Sequence, residues 1–281
     1  MPGLTTTTRI RPMLAADIPA ATRVILDGGW GDRSPFFRWA VDHPTARPLV
    51  ADEDGRVVGT GVATANGSVG WVGAIFVDVE RRRSGLGTAL SEAVVEELER
   101  AGCTTQLLIA TDEGRPIYER LGFVLHTRYV RAEAPEGPPP GVDRRVRPLE
   151  PDDLDAITAL DREATGEDRS VTLRAFSDPV TSRVATGQDG SVEGFLVRAP
   201  WGGRALIART PDAGLALLDW RRATTADRQI AIGVLEENRE GRALLAEAGW
   251  TEHVGGPRFI RGEPINWRPD WIYGQFGGAL G

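Results

Sequence analysis

Apolar residues in the first half of the chain follow first a strand-like and then a helix-like spacing. Residues 71–77 form an uninterrupted apolar run, which is typical of a strand buried on both faces. Between residues 86 and 101, apolar side chains recur every three or four positions and glutamates lie largely on the other side. This spacing predicts an amphipathic helix that ends near Gly102.

The same patterns predict the other elements of this half. The dipeptide Asp54-Gly55 separates two apolar segments and indicates a hairpin turn. Pro116 suits the first turn of a short helix, and Gly122 suits its C-terminal stop. We expect strands at 8–11, 48–52, 57–64, 69–77, 106–110 and 124–131, and helices at 15–26, 35–41, 86–101 and around Tyr118.

A basic, glycine-rich turn, Arg82-Arg83-Ser84-Gly85-Leu86-Gly87-Thr88, joins the apolar strand to the amphipathic helix. The unpaired N–H groups and the dipole at a helix N-terminus favour an anion such as a pyrophosphate. A P-loop would need Lys after the last glycine, and a dinucleotide fingerprint would need Gly or Ala at Leu90. A solvated surface loop is the remaining alternative.

This turn resembles the acetyl-CoA signature of the GNAT superfamily of N-acetyltransferases, Arg/Gln-x-x-Gly-x-Gly/Ala. Arg82, Gly85 and Gly87 occupy its fixed positions, and Val77 closes the preceding strand as the family pattern expects.

A second segment resembles the other signature of that family, a short helix ending in Tyr-x-x-x-Gly-Phe. Tyr118, Gly122 and Phe123 match it. Taken alone, Tyr118 favours a packing role with its hydroxyl at the surface, but the order and spacing of the two motifs favour the family.

The resemblance implies a fold, a cosubstrate and a site. The fold is α/β, with a mixed, mostly antiparallel sheet and helices on both faces. The strand ending at Val77 and the strand 106–110 would splay apart and hold the pantetheine arm of acetyl-CoA at the backbone of Phe76 and Val77. The pyrophosphate would bind Arg82, Arg83, Ser84, Gly85, Leu86, Gly87 and Thr88.

The chemistry of acetyl transfer needs a polarised thioester carbonyl and a proton for the leaving thiolate. A backbone N–H near Val77 can polarise the carbonyl oxygen. The resemblance makes Tyr118 the general acid. Asp78 and Glu80 lie near the mouth of the site, but both suit a loop or helix-entry role better than that of general base. No metal is implied, since the three histidines are far apart in the sequence.

The chain repeats itself. Residues 9–13 recur as 145–149, and a Pro- and Gly-rich stretch lies between the copies. We therefore predict an acetyltransferase domain at 1–133, a linker at 134–143 and a second GNAT-like domain at 144–281.

The second copy is predicted to be degenerate. Its counterpart of Tyr118 is Leu245, and its counterpart of the turn, 209–215, keeps only Gly214 and gains Asp212. An aspartate would repel a pyrophosphate. Binding of acyl-CoA through a different loop is the alternative, and Asp168 with Arg169 is interpreted as a surface ion pair.

Aromatic residues are dense between 27 and 43, the segment that covers the acceptor side in the family. Trp30, Phe36 and Phe37 are predicted to bind the substrate, a small amine with an apolar or aromatic portion. Packing of the helices onto the sheet is the alternative for about two of the four aromatics, which include Trp39.

Composition narrows the class of protein. Its 281 residues are 41% hydrophobic, yet no apolar run reaches the ~20 residues needed to span a bilayer, so a cytoplasmic protein is expected. The net charge of −7 argues against a general nucleic-acid binder, and Cys103 is expected to be a buried structural thiol. The sequence thus favours an acetyl-CoA-dependent N-acetyltransferase over a non-catalytic acyl-CoA-binding or regulatory module, and leaves the oligomeric state open.

Overall fold

The computed structural model describes residues 8–139, 141–225 and 230–281. They form two compact units. Unit 1 contains the described residues up to Val124 together with Phe259–Glu263 and Gly278–Gly281, and unit 2 contains Leu125–Arg258 and Pro264–Gly277. Among the described residues, no helix has the length and apolar character needed to cross a membrane.

The compact units differ from the linear domains expected at 1–133 and 144–281. Each unit takes up a segment from the other half of the sequence. A strand pairs through backbone groups that every residue carries, so a sequence repeat does not determine which strand completes which sheet.

Unit 1 is built on a sheet in the order β1-β2-β3-β4-β5. The β1–β2, β2–β3 and β3–β4 pairs are antiparallel and the β4–β5 pair is parallel. Its elements are β1 (Thr8–Pro12), α1 (Ile18–Asp27), α2 (Ser34–Asp42), β2 (Ala46–Glu53), β3 (Arg56–Asn66), β4 (Val69–Val77), α3 (Leu86–Arg100), β5 (Thr105–Ile109) and α4 (Arg115–Arg120).

Helix α3 packs on one face of this sheet through its apolar stripe, which includes the buried Leu90, Val94 and Leu98. Glycines on the strands make room for it. A Cβ built on Gly70 would lie 2.6 Å from the Leu98 side chain, and one on Gly61 would lie 2.8 Å from Val94.

Unit 2 contains a second sheet in the order β13-β10-β9-β8-β7 and an antiparallel β6–β11 pair. Its elements are β6 (Val124–Glu133), β7 (Val146–Pro148), α5 (Leu154–Thr165), α6 (Ser170–Phe176), β8 (Arg183–Thr186), β9 (Val192–Arg198), β10 (Arg204–Ala208), α7 (Pro211–Thr224), β11 (Ala231–Leu235), α8 (Arg239–Glu247), β12 (Thr251–Gly262, whose last residues belong to unit 1) and β13 (Ile272–Gly274).

The sequence repeat recurs as a repeated structural device. Arg11 forms an ion pair with Asp17 at 2.7 Å, and Arg147 forms one with Asp153 at 2.7 Å. In both copies the aspartate also accepts a 2.8 Å hydrogen bond from the backbone N–H three residues earlier. The same ion pair therefore fixes the start of the first helix in each unit.

One prediction about unit 2 was wrong. Arg169 does not lie at the surface, because its side chain is 0% exposed and pairs with Asp161, which is 1% exposed. Arg169 Nε donates to Asp161 Oδ2 at 3.0 Å, and a buried guanidinium needs such a partner. Asp168 instead pairs with Arg162 at 2.8 Å and accepts a hydrogen bond from Ser170 N–H.

Candidate active site

The C-terminal ends of β4 and β5 separate. The two strands pair only at Val69↔Thr105, Gly70↔Gln106 and Trp71↔Leu107, although they continue to Val77 and Ile109. A gap therefore opens between them, as the resemblance implied.

A bulge in β4 lies beside this gap. Thr60 pairs with Phe76 while Val62 pairs with Gly73, so Gly61 faces two residues of β4. Ala74 has a φ of 50°, and its carbonyl accepts a 2.8 Å hydrogen bond from the Thr60 hydroxyl. Bulges bend a strand and re-aim the groups that follow.

Beyond the bulge, the backbone of Val77 faces the gap. Asp78 N–H donates to Val58 C=O on β3 at 2.9 Å. Since successive residues of a strand point their N–H and C=O groups to opposite sides, those of Val77 point away from β3. This strand end therefore offers a backbone donor and acceptor to whatever occupies the gap.

The predicted phosphate turn leads into α3 without a side-chain cap. Gly85 adopts a φ of 87°, which glycine tolerates without strain. The first helical hydrogen bond runs from Ala89 N–H to Gly85 C=O, so three N–H groups precede it. These belong to Leu86, Gly87 and Thr88, and they create a ready anion-binding position.

The rest of the turn is exposed. Arg82, Arg83 and Ser84 all lie at the surface, and the Ser84 hydroxyl donates to Arg81 C=O at 2.7 Å. The two free guanidinium groups add positive charge beside the α3 N-terminus, where the helix dipole acts in the same direction.

Gly87 is the point where three elements meet. A Cβ built on it would lie 3.4 Å from Ile117 Cδ1 on α4 and 3.7 Å from Val77 Cγ2 on β4. The α3 N-terminus, the end of β4 and the helix that carries Tyr118 therefore converge within van der Waals distance.

Tyr118 lies at this convergence and is 9% exposed. Its ring packs edge-on against Phe123, 6.1 Å between centroids. Burial raises the pKa of the phenol to about 12, against a smaller opposing effect of a hydrogen bond with Ser91. The group is therefore protonated at neutral pH and can donate a proton but cannot accept one.

Ser91 is a site residue that sequence reasoning missed. It is buried on α3, and its hydroxyl donates to Gly87 C=O at 2.8 Å. It thus links Tyr118 to the first turn of α3. A serine inside an amphipathic helix carries no distinguishing pattern, and only its position on the buried face could have drawn attention to it.

The nearby carboxylates have structural partners. Asp78 accepts from Glu80 N–H at 3.0 Å and so caps the turn that follows β4. Arg56 bridges both side chains, at 2.7 Å to Asp78 and 3.2 Å to Glu80. This arrangement favours the loop role over that of general base.

The three predicted acceptor residues have different environments. Trp30 is 45% exposed, and its ring lies edge-on to Phe76 with centroids 5.2 Å apart. Phe36 and Phe37 are buried, and Phe37 exposes no surface. Helix α2 contacts β2, and the two phenylalanines form its buried face. The packing alternative therefore applies to them, and Trp30 alone of the three presents a surface to a ligand.

The corresponding region of unit 2 is filled by the chain itself. Helix α7 is capped by Thr210, whose hydroxyl accepts from Ala213 N–H at 3.3 Å. Strand β13 pairs with β10 and also contacts β11, so it occupies the interval in unit 2 that corresponds to the separation of β4 and β5 in unit 1.

Tyr273 on β13 completes this filling. A Cβ built on Gly214 of α7 would lie 2.7 Å from its ring, and one on Gly241 of α8 would lie 2.3 Å from its hydroxyl oxygen. Gly214, predicted to be the remaining glycine of a phosphate turn, instead lies within α7 and makes room for this ring.

Comparisons with known proteins agree with these features. The Acetyltransferase (GNAT) family model matches residues 18–123, and the Acetyltransferase (GNAT) domain model matches residues 157–274. The uncharacterized N-acetyltransferase YitH of Bacillus subtilis is 31% identical over 129 residues, which is 44% of each chain. Glucosamine 6-phosphate N-acetyltransferase of Trypanosoma brucei brucei is 35% identical over 66 residues, 24% of this chain and 45% of that protein. The chain thus spans less than half the length of either relative.

Solved structures share the fold over nearly all of the chain. An acetyltransferase candidate from Pyrococcus horikoshii superposes with a TM-score of 0.82 at 23% identity, covering 100% of this chain and 99% of that one. A tandem GNAT protein from the clavulanic acid biosynthesis pathway superposes with a TM-score of 0.62 at 16% identity, covering 92% and 99%. At these identities the likeness shows the fold alone.

Proposed function

Because the chain belongs to the GNAT acetyltransferase family, with one matched domain in each half, we propose that unit 1 is an acetyl-CoA-dependent N-acetyltransferase acting on the amine of a small molecule. The observation that carries this proposal is the convergence at Gly87 of an uncapped helix N-terminus, the free end of β4 and the helix of a buried phenol. Each feature alone has a structural explanation, but acetyl transfer from a phosphate-bearing thioester needs all three together.

The coenzyme would be held by backbone groups and by charge. The N–H groups of Leu86, Gly87 and Thr88, with Arg82 and Arg83 beside them, suit a pyrophosphate. The C=O group of Val77 suits an N–H of the amide-bearing pantetheine chain, which would lie in the gap as a strand would. Bound acetyl-CoA supplies an acetyl group activated as a thioester.

The residues of unit 1 would then contribute to the transfer in two ways. The N–H of Val77 is aimed into the gap, where it can polarise the thioester carbonyl oxygen. Tyr118 can give its proton to the sulfur as the C–S bond breaks and the amine nitrogen forms the new C–N bond. The proton released by the amine goes to water, since Asp78 and Glu80 are both held by Arg56, and the Tyr118 phenolate takes up a proton from water before the next turnover.

One active site per chain follows from the state of unit 2. In unit 2, β13 occupies the interval beside β10, and the Tyr273 ring occupies the space between α7 and α8. A coenzyme would need this space, and the N-terminus of α7 already has the side-chain cap of Thr210. This arrangement supports assigning cosubstrate binding to unit 1 and leaving unit 2 without it.

Thiol release from acetyl-CoA across a panel of primary amines tests the proposal. Amine-dependent release by the wild-type protein, with the acetylated amine identified by mass spectrometry, would support it. Tight acetyl-CoA binding with no release on any amine would instead favour a non-catalytic acyl-CoA-binding module, and no binding would refute both.

A further inference from the structure

The two faces of β4 have different neighbours near the gap. Gly70 and Val77 face α3, since their surroundings include Leu98 and Gly87. Because side chains alternate along a strand and the bulge shifts that alternation by one, Gly73 and Phe76 both lie on the opposite face. The phosphate turn, which leads into α3, and Tyr118, which contacts Ser91 of α3, lie on the α3 face, so an amine would reach the thioester from the opposite face.

The chain's own C-terminal segment covers part of that opposite face. A Cβ built on Gly73 would lie 2.3 Å from Ala279 Cβ and 3.0 Å from Gly278 C=O. Gly278 itself lies close to Ile109, with 3.6 Å from its Cβ position to Ile109 Cδ1. Residues 278–280 therefore lie where β4 and β5 part.

The segment is anchored rather than loosely placed. The Asn66 side chain on β3 donates to Leu280 C=O at 2.9 Å, and both residues are almost fully buried. Asn66 lies on the same face as Gly73, because Val62 pairs with Gly73 and side chains repeat every two residues. The segment thus crosses the sheet from β5 over β4 to β3.

We propose that residues 278–280 form a wall of the acceptor pocket in unit 1 and limit the size of the amine that reaches the thioester. The proposal rests on the acetyl transfer proposed above. Its basis is that the segment contacts β4 at Gly73 and Trp30 contacts β4 at Phe76. The segment and Trp30 therefore flank the bulge on the face opposite α3.

Residues 278–280 can lie this close to β4 because position 73 is a glycine. With Ala279 in direct contact, any side chain at position 73 must displace the segment. Two variants therefore open the wall by independent routes, Gly73→Ala in the full chain and a chain that ends at Gly277. Gly70→Ala is the matched control, since its new Cβ meets Leu98 on the opposite face of the same strand.

The experiment measures kcat/KM for acetylation of ethylamine and of tryptamine, with acetyl-CoA affinity determined by equilibrium dialysis. Both wall variants should raise the tryptamine-to-ethylamine ratio by about tenfold or more, the usual discrimination of a pocket by size. Acetyl-CoA affinity should stay within about twofold, and Gly70→Ala should leave the ratio unchanged.

Two results separate the proposal from its premise. If the wild-type protein acetylates neither these nor other amines, both the proposed function and the proposed wall are refuted. An active wild-type protein whose ratio is unchanged in both wall variants, or whose activity falls equally for every amine, overturns the wall and leaves acetyl transfer standing.

Discussion

Tyr118→Phe tests the central chemical step because it removes one oxygen atom and leaves the packing almost intact. The ring keeps its edge-on contact with Phe123, and the loss of one hydrogen bond with Ser91 should cost about 0.5–1.5 kcal/mol of stability. A general acid typically contributes about 10²–10⁴-fold in rate, so kcat should fall within that range.

The structure places the expected loss at the lower end of the range. A phenol with a pKa of about 12 is a weak proton donor toward a thiolate whose conjugate acid has a pKa of ~8.5. General acids are most effective when their pKa lies near the working pH. We therefore expect kcat to fall about 100-fold, with no ionisation of Tyr118 visible in the pH–rate profile below about pH 11.

Steady-state thiol release gives kcat, and equilibrium dialysis gives acetyl-CoA affinity, which should change little. Tyr273→Phe is the matched control, because Tyr273 is also a buried phenol with a pKa of about 12 but lies in unit 2. It should leave kcat unchanged. If Tyr118→Phe retains turnover within about threefold of wild type, Tyr118 is a packing residue and the assignment of the acid is refuted.

Four further outcomes are expected. Gly85→Ala places a residue with a Cβ at a backbone φ of 87°, so it should cost about 1–2 kcal/mol of stability and weaken acetyl-CoA binding about tenfold. Gly102→Ala is its control, because Gly102 has a φ of 83°; it should cost the same stability and leave acetyl-CoA binding unchanged. Calorimetric titration should give one acetyl-CoA per chain, and a second site would contradict the filled cleft of unit 2. Arg169→Met should lower the free energy of unfolding by about 3–5 kcal/mol, because it leaves the buried Asp161 carboxylate without its ion-pair partner. Adding Asp161→Leu should recover most of that loss in urea unfolding. Since the folded-state pKa of Tyr118 is about 12 and the ordinary value is 10.0, the contribution of its protonated form to the free energy of unfolding is constant below about pH 9 and falls by about 2 kcal/mol as pH rises to 12; Tyr118→Phe should lack this decline.

The local elements around the site were predictable because each depends on neighbouring residues. The helix expected at 86–101 is Leu86–Arg100 and the strand expected at 69–77 is Val69–Val77. The hairpin turn at Asp54-Gly55 has φ values of 51° and 89°, the conformation that this dipeptide favours. Cys103 is buried, as expected.

Contacts between distant parts of the chain could not be predicted in this way. Arg169 follows a polar stretch and was expected at the surface, yet Asp161, eight residues earlier on α5, makes its burial possible. The segment Ile272–Gly274 forms strand β13, and no periodicity reveals that it fills the interval beside β10. Phe36 and Phe37 were assigned to the ligand for their aromatic rings, although the same rings serve α2 equally well as its buried face.

If unit 2 binds no coenzyme, as we propose, the filling of its interval by the chain's own strand would explain how a duplicated domain can lose its ligand without losing its fold. A separated pair of strands leaves backbone groups that need partners. In unit 1 a coenzyme would supply them, whereas in unit 2 β13 does so through Leu206↔Gly274 and Ile207↔Ile272. A tethered segment acts at an effective concentration on the order of millimolar, and Tyr273 adds a buried ring between α7 and α8 that a free ligand would have to displace. Under this proposal, substitutions in the counterpart of the phosphate turn, such as Asp212 in the first turn of α7, would carry no cost to coenzyme binding, because β13 and Tyr273 already occupy the space that the coenzyme would need.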